Sequence, residues 1–442
     1  MHDRPETSRD FAVTHRTVLA IAVPMTLAYL TTPLLGIANI AVVGQLGDAA
    51  LLGGLAAGAI IFDVVFSTFS FLRSGTTGLV AQAFGRDDAE EERLTLLRAM
   101  ALAIGIGAVI ALFASLISRG GQAFMGADPA VSAAMDEYVR IRCLGAPFSM
   151  MNYALLGYVL GRGEGTLALL LQLVLNVVNI VLSILLGLWL GWGVAGVAWG
   201  AVAGEFVGLA VGLAIVLPRF RAGPAVEMAR LLDPASLRAM LALNRDIMIR
   251  SFALLAAYAL FTRQGAQLGA VALAANAVLM NFFMVASFFL DGIAAAAEQL
   301  AGRAVGAGSK TSFRRAVRLT AIWGFGMAAT AAAVCLVFGG HLIALITTAQ
   351  PVRDFAATYL PWAAATALTG VLAFQMDGVF IGAAWSRDMR NIMLVSLALF
   401  VAALLALPLL IGNHGLWVAL NLFLLARGLG MLGVLPRRVA TL

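Results

Sequence analysis

The sequence predicts an all-α integral membrane protein with about twelve transmembrane helices in two six-helix lobes. Three observations carry that expectation. Of 442 residues, 62% are hydrophobic and only 12% are charged, with a mean hydropathy of +0.95, whereas a soluble domain carries roughly 25% charged residues. Apolar runs of about 20 residues, each long enough to cross a ~30 Å hydrocarbon core as a helix, recur from near Arg16 to near Arg437. Lysine and arginine crowd alternate connections and are scarce in the others.

In chain order the spans are expected near 17–44, 52–82, 95–118, 137–160, 166–190, 194–217, 239–262, 271–301, 316–340, 355–383, 391–411 and 415–435. The polar opening "MHDRPETSRDFAVTHR" leads into a long apolar stretch that contains Pro24 and lacks a small-residue cleavage pattern. A first span is therefore expected rather than a cleaved signal peptide. Cys143 and Cys335 both sit in apolar contexts, which predicts packing residues and no disulfide framework.

Basic residues gather at the N-terminus (Arg4, Arg9, Arg16), after the second span (Arg86, Arg93) and in the central connection (Arg219, Arg221, Arg230, Arg238). They return after the eighth span (Arg303, Lys310, Arg314, Arg315), after the tenth (Arg387, Arg390) and at the C-terminus (Arg437, Arg438). The connections "GQLGDAA", "GWGVAG" and "IGNHG" hold none, and Arg119, Arg263 and Arg353 are isolated. By the positive-inside rule both termini are expected in the cytoplasm, which requires an even number of spans. The +6 net charge is accounted for in this way and calls for no nucleic-acid partner.

The most polar internal connection, 217–246, divides the chain in the middle. Across it Gly85 and Gly306, Arg93 and Arg314, Gly157 and Gly378, and Gly161 and Gly382 all stand 221 residues apart. Two halves that each start and end inside imply a parallel duplication about an axis along the membrane normal. The expected organisation is a cytoplasmic tail at 1–16, an N-terminal lobe at 17–217, a cytoplasmic linker at 218–238, a C-terminal lobe at 239–435 and a tail at 436–442. A two-lobed membrane protein suits alternating access, and so suggests a carrier.

The stretches "PLLGIANIAVVGQLGDAALLGGLAAG", "FLRSGTTGLVAQAFGRDD", "LNVVNIVLSILLGLWLGWGVAGVAWG", "FLDGIAAAAEQLAGRAVGAG" and "FQMDGVFIGAAWSRDMRN" resemble the multidrug and toxic compound extrusion (MATE) transporters, in particular the DinF branch. The likeness runs from about residue 17 to 435. It implies a secondary antiporter of the bacterial inner membrane, working alone and without a prosthetic cofactor, that expels amphipathic, often cationic, organic compounds in exchange for H⁺ or, second, Na⁺. Two departures bear on coupling. "ANIAVVG" places Asn39 where the branch usually has an aspartate, and "NIVLS" places Ser183 at the second expected acid. Asn39, Asn176, Asn179 and Ser183 are then expected as a neutral polar cluster in the first half, facing substrate or water.

A proton-driven carrier needs a group that binds and releases a proton, and few acids stand inside the apolar runs. Asp377, in "LTGVLAFQMDGVFIGAA", and Asp291, in "SFFLDGIAAAAEQL", match the branch pattern and are the leading coupling candidates. Arg250 either seeks a carboxylate partner or snorkels to the surface. Glu298, two turns after Asp291, is either a second proton station or an interfacial acid paired with Arg303. In the first half, Asp63 is a candidate substitute for the missing acids, and Glu205 is either a structural partner or a functional acid. Phe62, Phe66, Phe69, Met150, Met151, Tyr153, Phe282, Phe283 and Met284 offer aromatic and thioether surface for an apolar cation or for packing.

Other chemistries fit poorly. "GAGSKT" at 306–311 lacks the Gly-Lys-Ser/Thr of a phosphate-cradling loop and follows a helix. His2, His15, His341 and His414 are dispersed, so neither a His-Glu-x-x-His metal site nor a serine-histidine pair forms in the membrane. The alternatives kept open are a lipid-linked sugar flippase, which would call for many arginines in its cleft, and, last, a membrane-embedded transferase, for which the linker carries too little polar surface.

Overall fold

The computed structural model describes residues 10–220 and 227–442. Arg4 and Arg9 of the tail and Arg221 of the linker lie outside the described residues. Leu27–Leu241 form one compact unit, and Ala242–Leu442 form another together with the chain up to Thr26.

Helix α1 (His15–Gly44) is shared between the two units, dividing at Thr26. Asp48 starts α2 (Ala49–Ser67) by accepting from the amides of Ala50 and Leu51, and satisfies two of the amides a helix start leaves open. A turn leads to α3 (Phe71–Arg86), and α4 (Ala89–Leu112) breaks at Phe113 into α5 (Ala114–Met125). Next come α6 (Pro129–Leu144) and α7 (Ala146–Gly161), which bend by 52° at Gly145, where an added Cβ would strike Val202. Helix α8 (Gly165–Leu182) widens into a π-helical segment at Ser183–Trp189, and α9 (Gly193–Val216) closes the unit. Within the linker, α10 (Met228–Leu231) docks on α4 through Arg98, which donates to the carbonyls of Leu231 and Arg230.

The second unit is built of longer rods: α11 (Pro234–Gln267) from Ala242 onward, α12 (Ala270–Gly306), α13 (Lys310–Ile346), α14 (Gln350–Gly382), α15 (Ser386–Ile411) and α16 (Asn413–Ala440). Helix α11 begins five residues before the expected span, with Asp233 accepting from the Ser236 amide at 2.8 Å. That bond holds the exposed Asp233 carboxyl below the usual carboxylate range. Among the described residues ten helices or joined helices are long and apolar enough to cross a membrane, and eleven if the bent α6–α7 pair is one span. Helix α11 falls short of that test because Arg250 and Arg263 bracket its apolar stretch. Cys143 and Cys335 are buried and free, as packing residues are.

The 221-residue offset recurs in backbone detail. Asp87 and Gly308 both adopt left-handed backbone, with φ of 62° and 63°. The caps that follow match as well: Asp88 accepts from the Glu91 amide and Ser309 from the Ser312 amide. Gly163 and Ala384 form a second left-handed pair, at 78° and 56°. A Cβ on Gly157 would overlap the Arg73 carbonyl, and one on Gly378 would overlap that of Ala294. One turn on, Gly161 meets the Thr77 carbonyl and Gly382 that of Glu298. In each half, two glycines on one helix let it lie backbone to backbone on its neighbour, and small residues do this work wherever apolar helices pack in lipid.

Substituting these glycines should therefore be costly. Gly382→Val is expected to destabilise the protein by about 1–3 kcal/mol through overpacking against rigid backbone. Gly340→Ala, where a Cβ meets nothing within 4 Å, should be neutral or slightly stabilising. Thermal unfolding of the two variants in detergent separates these outcomes.

Candidate functional site

The second unit holds a buried charge cluster centred on Asp377. Asp377 stands directly before Gly378, so the close approach of α14 to α12 fixes its position. Its Oδ2 accepts from Arg250 Nη1 on α11 and from Arg427 Nη2 on α16, each at 2.6 Å. Arg427 is 1% exposed and Asp377 7%. A carboxylate so placed compensates two guanidiniums at once, in surroundings where an unpaired charge costs several kcal/mol. Asp377 Oδ1 is buried with no hydrogen-bond partner among the described residues, as are Arg427 Nε and Nη1. Tyr258 on α11 lies within electrostatic reach of Arg427, Asp291, Arg250 and Asp377.

Asp291 sits on α12 three residues before Ala294, the backbone that Gly378 touches, so both acids stand at the same level of the α12–α14 contact. Glu298 is 3% exposed beneath Gly382. Arg303 lies over the Phe11 ring, 4.2 Å from its centroid.

In the first unit the neutral cluster divides. Asn176 donates to Thr31 Oγ1 at 2.6 Å, joining α8 to α1. Ser183 donates to Asn179 Oδ1 at 3.0 Å, and both residues face α9, where a Cβ on Gly200 would strike Ser183 and one on Gly204 would strike Asn179. The Asn176–Thr31 bond and the Gly187–Val42 approach share one parallel register of α1 on α8, which sets Asn39 level with residue 184. Asn39 is therefore beside Ser183 in height, yet its Oδ1 is buried without a hydrogen-bond partner among the described residues.

Asp63 and Glu205 belong to a different group. Arg142 on α6 lies within electrostatic reach of both acids and stacks on Phe62, with 3.9 Å from its Cζ to the ring centroid. Glu205 accepts from Asn152 at 2.7 Å. No hydrogen bond or ion pair joins Asp63 to Asn39 among the described residues. The aromatic and methionine set also separates: Phe66, Met150 and Phe283 are packing residues, Met284 is exposed, and Phe282 lines an apolar cavity of about 680 Å³ with Phe289, Trp323 and Met327.

Several buried charged residues are absent from the candidates read off the sequence, among them Arg427, Arg142 and Asp246. Arg427, in "NLFLLARGLG", carries the same signal as Arg250, a lone arginine in an apolar run. Arg142 lies within two residues of Arg140 and so reads as part of a polar edge. Asp246 is 1% exposed and accepts from Arg390 and Ser386 at 2.7 and 3.0 Å, which ties α11 to α15.

The MatE family model matches residues 24–185 and again 247–407. The chain belongs to the MatE family. The two matches fall one in each half, so the family unit is itself the repeat. MatE proteins are transporters, and this chain is a multi-pass membrane transporter rather than an enzyme. The chain is 38% identical over 98% of its length, and 93% of the relative's, to DNA damage-inducible protein F of Escherichia coli strain K12. It is 25% identical to Protein DETOXIFICATION 44, chloroplastic, of Arabidopsis thaliana, covering 93% of this chain and 80% of that one. Among solved structures, a MOP superfamily transporter from Pyrococcus furiosus superposes with a TM-score of 0.87 at 16% identity, covering 97% of this chain and 96% of the other. An outward-facing multidrug resistance MATE family transporter gives 0.85 at 16% identity with the same coverage. At such identities the likeness establishes the fold, the MATE two-lobed bundle of twelve spans.

Two guanidiniums sharing one carboxylate make the cost of substitution unequal. Asp377→Asn leaves both arginines without a counter-charge and is expected to cost about 3–5 kcal/mol, more than Arg427→Gln, which leaves Asp377 still paired with Arg250. The double variant should cost less than the two single losses added together. A double-mutant cycle on thermal stability measures that coupling.

Proposed function

We propose that this MatE transporter is a proton-coupled antiporter that exports amphipathic, often cationic, organic compounds by alternating access, with its coupling acids in the C-terminal half. The reading places it in a bacterial inner membrane, acting as a single chain with both termini cytoplasmic. The observation that carries it is the buried Asp377 carboxylate shared by Arg250 and Arg427. Protonation of Asp377 removes the carboxylate charge that both guanidiniums share, and Asp291 is the second acid proposed to take up the proton. The resulting penalty of several kcal/mol matches the few kcal/mol that separate the conformations of a two-state carrier. A proton is thus able to reset the conformational balance without a large binding site.

Sodium suits the same cluster less well. Na⁺ needs several oxygen ligands, whereas the nearest neighbours of Asp377 are N–H donors. No group of three or more His, Cys, Asp or Glu side chains converges among the described residues. In the first half, Asn39 and Ser183 carry no titratable proton, and Asp63 and Glu205 lie within electrostatic reach of Arg142. The aromatic-walled cavity in the second unit offers the apolar surface an amphipathic compound requires.

Transport in inverted vesicles tests the coupling. Asp377→Asn and Asp291→Asn should each lower efflux driven by a pH gradient by about tenfold or more, while counterflow without a gradient persists. Wild-type gradient-driven rates in both variants would refute the C-terminal assignment. Asp377→Glu, which keeps the charge, separates loss of coupling from misfolding. Orientation has its own check: a fluorescent-protein fusion at the C-terminus should fluoresce, and an alkaline phosphatase fusion there should be inactive.

A further inference from the structure

The N-terminal end of α13 carries more positive charge than the described residues compensate: Asp10 accepts from the hydroxyl of the N-cap Ser309, and no other acid among them bonds to this end. Its first nine residues, Lys310 to Arg318, contain Lys310, Arg314, Arg315 and Arg318 and no acid. A helix N-terminus already carries partial positive charge and favours anions. Arg314 and Arg318 also stand four residues apart, where like charges repel. Both are exposed, and neither is engaged in a hydrogen bond or ion pair among the described residues. Neighbouring cations are answered differently: Arg390 pairs with Asp246, Arg438 with Asp388, and the Lys310 ammonium donates to the Ala440 carbonyl.

Beside these two arginines opens a groove of about 510 Å³ between α13, α14 and α16. Its walls are otherwise largely apolar, with Leu372, Met376, Leu432 and Phe325 below the arginines and no acidic residue among its lining. The depth is informative. Helix α13 has 37 residues and so runs about 55 Å, well beyond a ~30 Å hydrocarbon core. Roughly 12 Å is left over at each end, which sets Arg314 and Arg318, four and eight residues into the helix, in the headgroup layer. The apolar floor lies deeper, at the level of acyl chains.

We propose that this groove seats an anionic phospholipid, with its phosphate between Arg314 and Arg318 and one acyl chain along Leu372, Met376 and Leu432. Charge and apolarity are stacked in the order a lipid presents them, and basic pockets between membrane helices recognise such headgroups. A free phosphate would use the arginines and leave the floor empty. The seat stands independently of the transport reading, and only its assignment to the cytoplasmic leaflet rests on the proposed orientation.

The test is native mass spectrometry of the full chain titrated with phosphatidylglycerol or phosphatidylcholine. Phosphatidylglycerol should be favoured by about thirtyfold, from two arginines each favouring an anionic headgroup. Arg314→Gln with Arg318→Gln should reduce that preference to a few-fold, while Arg119→Gln, a single charge loss in the other unit, leaves it intact. Leu432→Trp should weaken binding of both lipids by filling the floor. Equal binding of the two lipids, or a preference unchanged in the double variant, would overturn the proposal. So would displacement of phosphatidylglycerol by millimolar inorganic phosphate, which would reveal a bare anion patch. Both arginines are exposed, so unchanged thermal unfolding confirms that a folded protein is being compared.

Discussion

The close approach of α14 to α12 at Gly378 and Gly382 is the constraint on which the C-terminal half depends. Any side chain at these positions would push the helices apart, since the facing atoms are backbone carbonyls that cannot rotate away. Asp377 occupies the position next to the first contact, and is carried by it into the interior of the unit. There it becomes the shared counter-ion of arginines from α11 and α16. Helix packing and charge pairing are one arrangement: loosening the glycine contact moves the carboxylate, and losing the carboxylate strands two guanidiniums on helices that it otherwise ties together.

The N-terminal half repeats this framework with different chemistry. Gly157 and Gly161 meet the Arg73 and Thr77 carbonyls as their counterparts meet Ala294 and Glu298. Yet Thr77 stands where the other half has Glu298, and Ser70 where it has Asp291. The first half collects its charge elsewhere, around Arg142 between Asp63 and Glu205. Duplication conserves what backbone contact demands, namely glycines, caps and left-handed turn residues. It leaves the polar side chains free to diverge, because a serine and an aspartate fit the same helical position equally well.

Much of this was legible in one dimension. Hydropathy located the spans, because burial in lipid requires long apolar runs, and the glycine offset located the repeat, because small residues are irreplaceable where backbones touch. Asp377, Asp291 and Arg250 declared themselves as charges inside apolar runs. Partnership was not legible. Arg427 carries the same signal as Arg250, but only the meeting of α11, α14 and α16 shows that both reach one carboxylate oxygen. Likewise Asn39, Asn176, Asn179 and Ser183 read as a single cluster, whereas the structure turns Asn179 and Ser183 towards the glycines of α9 and gives Asn176 to Thr31. The break at Phe113 and the π-helical turn at Ser183 left no clear trace, since each lies in apolar sequence compatible with a continuous helix, whereas the bend at Gly145 is marked by Pro147 two residues on.

Charge balance gives the two halves unequal parts in the proposed cycle. In the second half, a proton on Asp377 would remove the charge that Arg250 and Arg427 share, and burial makes the uncompensated cations costly. In the first half, Asn39 and Ser183 give hydrogen bonds without changing charge, so a proton gradient has nothing to act on at the two positions where the family resemblance implies acids. A carrier with both lobes titrating would couple through two separate equilibria. On the proposed reading, coupling falls on Asp377 with its two arginines and on Asp291, and the uncharged polar groups of the N-terminal half would recognise substrate without titrating.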